Sequence, residues 1–430
     1  MDKMTLRDVQ LAGKRVVMRV DFNVPMAKDG SGKITDDTRI VAALPSIKYV
    51  LEQGGSLVLM SHLGRPKGKG YEAEFSLKPV AEALSAKLGI AIKFAPDCMA
   101  ADDMVNSLKP GEVLLLENTR FYKAEDGKVK KDDEKKGIHL TDEEFAAKKA
   151  ELKAARAEMA KKLASYGDIY CNDAFGTAHR AHASTAVIAD YIQPAVSGFL
   201  LEKEIQFLGD AVEKPVRPFV AILGGAKVSD KLAVVKALLN KVDTLIIGGG
   251  MAYTFKKAQG IKIGTSLCED EQVAYCKEML EAAIAKGIKI LLPVDNVIAN
   301  KFPETKDASD IEMKTVEGDI PDGWMGLDIG PKSVELFAEA VKGAKTVVWN
   351  GPMGCFEFAP LSKGTYGVCE AVATVKANGG VSIIGGGDSV SAVKKSGRAA
   401  EMSHVSTGGG ASLEFLEGKV LPGVAALTAK

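Results

Sequence analysis

The sequence predicts an α/β protein built from two doubly wound parallel sheets, each in its own domain, joined by a helix. Three observations carry that prediction. Apolar runs of about four to six residues alternate with longer helical patterns along the whole 430-residue chain, as strands do when a crossover helix returns each to a parallel neighbour. The length suits about two or three domains. The runs also fall into two groups by the residues that end them.

In the first group the runs end in charged or polar clusters: RVVMRVDFN (15–23), SLVLMSHLGR (56–65), EVLLLENTR (112–120) and DIYCNDAFGTAHR (168–180). In the second they end in glycine: FVAILGGAK (219–227), TLIIGGGMA (244–252), TVVWNGPMG (346–354) and VSIIGGGDS (381–389). Open parallel sheets bind ligands outside the carboxyl ends of their strands. One sheet therefore offers cationic side chains there, suited to a small anionic substrate. The other offers bare backbone N–H groups, suited to a nucleotide. Each half reads as one Rossmann-like unit.

The segments between the strands follow in order. SLKPVAEALSAKLG (76–89) is a helix that Ser76 can cap and Gly89 can stop. Residues 123–137, KAEDGKVKKDDEKKG, are polar and charged and read as an exposed loop. The helix after it opens on a capping-box pattern, Thr141 with Glu144. It carries an apolar stripe of Phe145, Leu152, Met159 and Leu163, and its i,i+4 pairs Glu144–Lys148 and Glu158–Lys162 favour a solvated surface helix. Nothing in residues 123–162 suggests chemistry. GFLLEKEIQFLGDAVEKP (198–215) reads as one helix ended by Pro215. The expected division is a domain of residues 1–197 plus 417–430, a connecting hinge helix at 198–213, and a domain of 214–416. KLAVVKALLNKVD (231–243) has an apolar stripe at helical spacing. The last apolar residues, within 416–427, are expected to dock on the fold.

Composition narrows the function. Lys and Arg number 56 against 56 Asp and Glu, so no global basic field favours nucleic acid, and any anion site is a local cluster. No apolar run has the length of a bilayer span, and MDKMTLRDVQLAGKR lacks the apolar core of a signal peptide. The six cysteines show no CxxC or metal-finger spacing and read as reduced thiols of a cytoplasmic protein. No segment reads as a dimer seam, so a monomer is expected. P-loop, strict GxGxxG, protein-kinase, GxSxG and HExxH motifs are all missing. No activated nucleophile is evident.

The candidates in the first half are Asp21, Asn23, Arg39, His62, Arg65, Arg120 and Arg180. A guanidinium is a permanently charged planar fork that fits carboxylate or phosphate with two hydrogen bonds. Several at neighbouring strand ends would hold a small polyanion in one orientation, with Asp21 and Asn23 bonding hydroxyls between the anionic groups and His62 donating to one of them. In the second half, GGAKVSDK sets Lys227 and Lys231 one helical turn apart after a strand, as if on one face of a helix start. Glycines at a helix N-terminus expose N–H groups and partial positive charge to phosphate. GGGMA (248–252) allows a flat base to approach the backbone. GGGDS (385–389) adds a carboxylate, and Asp388 can hold Mg²⁺, which takes carboxylate, phosphate oxygens and waters. STGGGAS (406–412) is a further anion nest at a helix start.

Together these segments closely resemble the phosphoglycerate kinase family. The resemblance runs from RVVMRVDFNVP (15–25) to STGGGASLEFLEGKVLPGV (406–424), through MSHLGRP, LLLENTRF, NDAFGTAHRAHAS, FVAILGGAKVSDK, IIGGGMAYTF, WNGPMGCFE and IIGGGDS. It implies that Asp21, Asn23, Arg39, His62, Arg65, Arg120 and Arg180 bind the phosphoglycerate, with Arg39 nearest the transferring phosphoryl. It implies nucleotide contacts for Lys227, Lys231, Gly248, Gly249, Asn350, Glu357, Gly386, Gly387, Asp388 and Ser389, with Asp388 near Mg²⁺ and ADP or ATP as the nucleotide. Lys231 and the amides of Gly408, Gly409 and Gly410 would join Arg39 around the transferring group once the domains close. Ser389 stands where many family members carry Thr, and the hydroxyl survives. A two-domain binding protein and a nicotinamide oxidoreductase are the alternatives. Two distinct site chemistries disfavour the first, and the missing dinucleotide fingerprint disfavours the second.

Overall fold

The computed structural model describes residues 2–134 and 137–430, so Lys135 and Lys136 of the charged loop lie outside the described residues. Two compact units result, Met1–Ile205 with Val420–Lys430, and Gln206–Lys419.

The first unit holds strands β1 (Arg15–Val20), β2 (Ser56–Met60), β3 (Ile92–Ala95) and β4 (Val113–Leu116). A two-stranded hairpin of β5 (Asp132–Asp133) and β6 (Ile138–His139) precedes β7 (Ile169–Asp173) and β8 (Ala195–Ser197). Six of these form one sheet in the order β3-β4-β2-β1-β7-β8, and every pairing in it is parallel. β1, β2 and β4 bury nearly every residue. This is why they appear in sequence as unbroken apolar runs rather than alternating ones.

The second unit holds β9 (Phe219–Leu223), β10 (Thr244–Ile247) and β11 (Lys289–Leu291). An antiparallel trio follows, β12 (Asp295–Ala299), β13 (Met313–Glu317) and β14 (Met325–Ile329), then β15 (Thr346–Asn350), β16 (Val381–Gly385) and β17 (His404–Val405). The main sheet runs β11-β10-β9-β15-β16-β17 and is parallel throughout. The trio runs β13-β12-β14. In each unit the first strand lies inside the sheet and later strands build outward on both sides. Such a reversal of winding is where α/β sheets open a crevice for ligands.

A single helix, Phe199–Glu213, runs from the first unit into the second. Its start is tied to the first unit by buried polar groups. Asp173, at the end of β7, accepts from Leu200 N at 2.9 Å and Leu201 N at 3.1 Å, and Ser46 Oγ accepts from Phe199 N at 2.9 Å. These bonds satisfy amides that a helix start leaves open. The C-terminal tail docks on the same unit, with Leu421 and Leu427 buried and Gly423 N donating to Ala178 O at 2.8 Å.

Several local expectations need correction. The helix after Ser76 starts at Lys78, and Glu117 from the end of β4 does most of the capping. Its Oε1 accepts from Leu77 N at 2.8 Å and its Oε2 from Ser76 Oγ at 2.7 Å. The capping box at Thr141 and Glu144 forms, but the two i,i+4 pairs do not. Glu144 serves the cap, and Lys162 reaches Asp102 at 2.6 Å instead. Lys227 and Lys231 share no helix face. Lys231 ends a 3-10 turn, Ser229–Lys231, and Lys227 precedes it. The charged loop is not wholly solvated either, because Glu125 is fully buried.

Candidate functional site

At the carboxyl ends of β1, β2 and β4 the predicted side chains of the first unit tie to one another. Arg39, in the first turn of helix Thr38–Glu52, donates from Nη1 to Asn23 O at 2.7 Å and to Asp21 Oδ1 at 3.3 Å. Asn23 Oδ1 accepts from Gly64 N at 2.8 Å, and Gly64 O accepts from Arg120 Nη1 at 2.9 Å. Asp21, Asn23, Arg39 and Arg120 thus form one bonded set through the glycine of the LGR loop. His62 is buried and joins through a residue that the sequence reading passed over, Arg19, whose Nη2 lies 3.0 Å from His62 Nδ1. Arg65 is exposed and makes no hydrogen bond or ion pair among the described residues. The Arg180 side chain, among the described residues, bonds only its neighbour, Nε to His179 Nε2 at 3.1 Å.

The local field is strongly cationic. Burial first, then the charges of Arg19, Arg120 and Arg39, push His62 well below the ordinary imidazole range. His62 is therefore neutral. With Nδ1 accepting from Arg19, its proton sits on Nε2. Burial and neighbouring arginines also hold His182 down at about 3 and His179 at about 4. Arg120 is lowered to about 10 by burial and by Arg19, with Glu125 opposing. Both ring nitrogens of His182 are buried without a partner among the described residues. Lys128 is exposed in the charged loop, and partial desolvation with the charges of Arg180 and Arg120 lowers its pKa. Arg19, His182 and Lys128 were missed because Arg19 lies inside an apolar strand, and the other two come near the cluster only through folding.

In the second unit the strand ends frame a cavity of about 710 Å³, with Gly225, Gly249 and Pro352 on its floor and Tyr253, Leu267 and Phe358 among its apolar walls. Glu357 and Asp388 line it as well. The glycines do not present bare amides here, contrary to the sequence reading. Gly224 N donates to Asn350 O, Gly225 N to Pro352 O, Gly248 N to Leu223 O and Gly249 N to Met353 O. Their role is space. Gly249 has φ +67°, and a Cβ on it would lie 2.6 Å from the backbone N and O of Gly225, so no other residue fits without displacing the floor.

Open donors come instead from two helix starts. Helix Gly387–Lys395 begins after Gly386, and helix Gly409–Leu416 begins after Gly408. A Cβ on Gly409 would stand 3.0 Å from Gly387 N, so the two starts abut. Their first amides have no carbonyl within their own helices, and both dipoles favour an anion there. Gly410 follows in the second of these first turns, whereas Gly408 N, expected to be open, donates to Ser406 Oγ at 3.2 Å. Lys231 Nζ donates to Gly224 O at 2.7 Å, and burial lowers its pKa while Asp230 and Asp388 oppose the shift. Asn350 is buried at the end of β15, and its Nδ2 has no partner among the described residues. Lys227 is exposed. Ser389 is fully buried and accepts from Gly351 N at 2.5 Å, a bond that fixes the β15 loop.

Among the described residues no group of three His, Cys, Asp or Glu side chains is placed to hold a metal ion. Asp388 and Glu357 are the two exposed carboxylates lining the cavity. That donor set does not fit an all-protein metal cage. It fits Mg²⁺ carried by a nucleotide, since this ion commonly takes one or two carboxylates and completes its shell with phosphate oxygens and water.

Two parallel α/β units, one ending its strands in guanidinium groups and the other around a glycine-floored cavity with two helix starts, define a nucleotide-dependent phosphotransferase architecture. The sequence model of the phosphoglycerate kinase family matches residues 6–419. The chain is 52% identical to phosphoglycerate kinase of Clostridium novyi (strain NT) over the full length of both. It superimposes on the structure of phosphoglycerate kinase from Coxiella burnetii with a TM-score of 0.82 at 39% identity, covering 99% of this chain and 98% of that one. The corresponding enzyme of Pyrococcus horikoshii OT3 gives 0.78 at 31% identity over 99% and 98%. The chain belongs to the phosphoglycerate kinase family, and its function is that of this glycolytic kinase.

Proposed function

We propose that the cationic cluster of the first unit binds the phosphoglycerate and the glycine-floored cavity of the second binds ADP or ATP with Mg²⁺. The phosphoryl group then passes directly and reversibly between 1,3-bisphosphoglycerate and ADP, giving 3-phosphoglycerate and ATP. The observation that carries this reading is the contrast of the two sites: fixed guanidinium groups in one unit, and in the other a glycine-floored, largely apolar cavity beside abutting helix starts and Lys231.

The chemistry asks little else of the protein. In the ATP-consuming direction the attacking group is a carboxylate, ionised at neutral pH, so no general base is required. The first unit agrees with this, because burial and neighbouring cations hold His62, His179 and His182 below the ordinary imidazole range. Phosphoryl transfer depends on alignment and on balancing charge over the equatorial oxygens. Alignment alone can supply roughly 7–11 kcal/mol, and each preorganised donor about 3 kcal/mol. Arg39, Lys231 and the amides of Gly409 and Gly410 take that role, and Asn350 Nδ2 is a buried donor available to a nucleotide phosphate. Asp388 would hold Mg²⁺, which neutralises phosphate charge when bound.

The two ligands belong to different units, so the units close to bring them in line, with the helix Phe199–Glu213 and nearby segments as the hinge. The enzyme acts as a monomer in the cytoplasm. Among the described residues no helix is long and apolar enough to cross a membrane. A coupled assay of ATP formation from 1,3-bisphosphoglycerate and ADP tests the activity, and a purified chain that forms no ATP with Mg²⁺ present sinks it. Small-angle scattering tests closure, with a smaller radius of gyration expected only when both substrates are bound.

A further inference from the structure

We propose that Glu125 is a positioning residue for the phosphoglycerate site, acting through Ser184 to orient Arg19 and, through Arg19, His62. The inference rests on the reading of this cluster as the phosphoglycerate site and adds to it a residue from the charged loop.

Glu125 follows Arg120 by five residues in a stretch whose composition suggests solvent, yet its side chain is fully buried. Its carboxylate grips Ser184 twice. Oε1 accepts from Ser184 Oγ at 2.5 Å, and Oε2 accepts from Ser184 N at 3.1 Å. Its own carbonyl accepts from Ala183 N at 2.9 Å. These three bonds pin the backbone just beyond Arg180 and His182.

The hydroxyl geometry sets a direction. A serine hydroxyl has one proton and can donate only once. Because that proton goes to Glu125, the oxygen faces Arg19 with lone pairs only, and Arg19 Nε donates to it at 2.8 Å. An amide at position 125 can turn its NH₂ toward Ser184, so the hydroxyl proton is free to swing toward Arg19 and meet another donor. Arg19 is fully buried. Its remaining arms donate to Val20 O and to His62 Nδ1, the latter at 3.0 Å. The chain of bonds therefore runs from His62 through Arg19 and Ser184 to Glu125, and it leaves the proton of neutral His62 on Nε2, which has no partner among the described residues.

Charge balance points the same way. A buried guanidinium with no counter-ion is strongly unfavourable, and Glu125 supplies the carboxylate one hydroxyl away. Direct contact with Arg19 would draw the guanidinium away from His62. Placement behind Ser184 keeps the negative charge near while leaving Arg19 directed at its own neighbours.

The test uses the full-length chain with Glu125→Gln, Ser184→Ala and Arg19→Met. The readouts are separate KM values for 3-phosphoglycerate and MgATP, together with long-range ¹H–¹⁵N spectra that report the His62 tautomer. Glu125→Gln and Ser184→Ala are expected to raise KM for 3-phosphoglycerate about tenfold, the scale of one charge-assisted hydrogen bond. They should leave KM for MgATP unchanged and shift His62 away from a pure Nε2–H tautomer. Ser184→Ala removes only an oxygen and keeps the test open if the glutamine variant fails to fold. If Arg19→Met raises KM for 3-phosphoglycerate while the other two variants leave it and the tautomer as in the parent, the positioning role is overturned and the site reading stands. If Arg19→Met also has no effect on that KM, the positioning proposal is overturned, and only a parent-like KM for 3-phosphoglycerate in Arg120→Met would make the site reading itself fail. Equal rises in both KM values, with a lower melting temperature, assign Glu125 to general stability and overturn the proposal.

Discussion

In the first unit the groups set at the strand ends hold one another by side-chain bonds: Arg39 on Asn23 and Asp21, Arg120 on Gly64, and Arg19 on Ser184 and His62. In the second unit the strand-end loops hold one another through backbone, Gly224 on Asn350, Gly225 on Pro352 and Gly249 on Met353. Side chains enter there mainly at the cavity rim, as Lys231, Asp388 and Glu357. On the assignment proposed above, the difference follows from what each site has to recognise. A small anion with charge at both ends is fixed by planar cations aimed from several strands. A nucleotide presents a flat base that needs close approach and phosphates that suit helix-start amides.

The largest expected effect tests whether the two chemistries are separable. Arg39→Ala and Lys231→Ala should each lower turnover by about 10²–10³-fold, the cost of losing one transition-state donor. Arg39→Ala should leave KM for MgATP near the parent value, and Lys231→Ala should do the same for 3-phosphoglycerate. A variant that mainly raises the KM of the other unit's ligand breaks the division.

A second effect concerns acid. His62, His179 and His182 have folded pKa values below their unfolded value of 6.5. Such groups add stability above pH 6.5 that is lost as pH falls toward their folded values. For His182, held at about 3, the loss between pH 6.5 and 5 is about 2 kcal/mol. The buried acids do not distinguish the units, since each has one raised to about 7: Asp173 in the first and Asp328 in the second. Their contribution is present below the unfolded carboxylate range and is lost as pH rises through 7. Hydrogen exchange resolved by unit, at pH 7.5 and pH 5, should show the first unit losing more protection. Equal loss in both units contradicts the assignment.

The smallest effect refines the second unit. Ser389→Ala leaves the buried Gly351 N–H without its acceptor and should lower stability by about 1–2 kcal/mol, measured by urea denaturation, with KM for MgATP little changed. A large rise in that KM with unchanged stability would return Ser389 to the phosphate contacts. Thr at this position keeps the hydroxyl and should restore most of the lost stability.

Much of this site was legible in the chain. The strand-end motifs placed Asp21, Asn23, His62, Arg120 and the glycine loops correctly at carboxyl ends, because a buried parallel strand is an uninterrupted apolar run and its end shows as the first polar or glycine residue. Arg19 escaped notice because it sits inside such a run and, beyond its neighbour Val20 O, is satisfied by Ser184 and His62, residues far away in sequence. Glu125 escaped because a charge-rich stretch gives no sign of which member turns inward. The idea of free amides at Gly248 and Gly249 failed because the acceptors, Leu223 and Met353, come from neighbouring strands.

By itself the sequence determined the two parallel α/β units, the strand ends that carry chemistry and the residue types offered there. These depend on local periodicity and on backbone freedom, which a short window of residues already fixes. Tertiary structure alone decided the strand order, the amides already consumed, the helix starts that abut and the inward turn of Glu125. Each of these is set by partners far along the chain, and whether a polar group is buried, paired or left open depends on those partners and not on the residue itself.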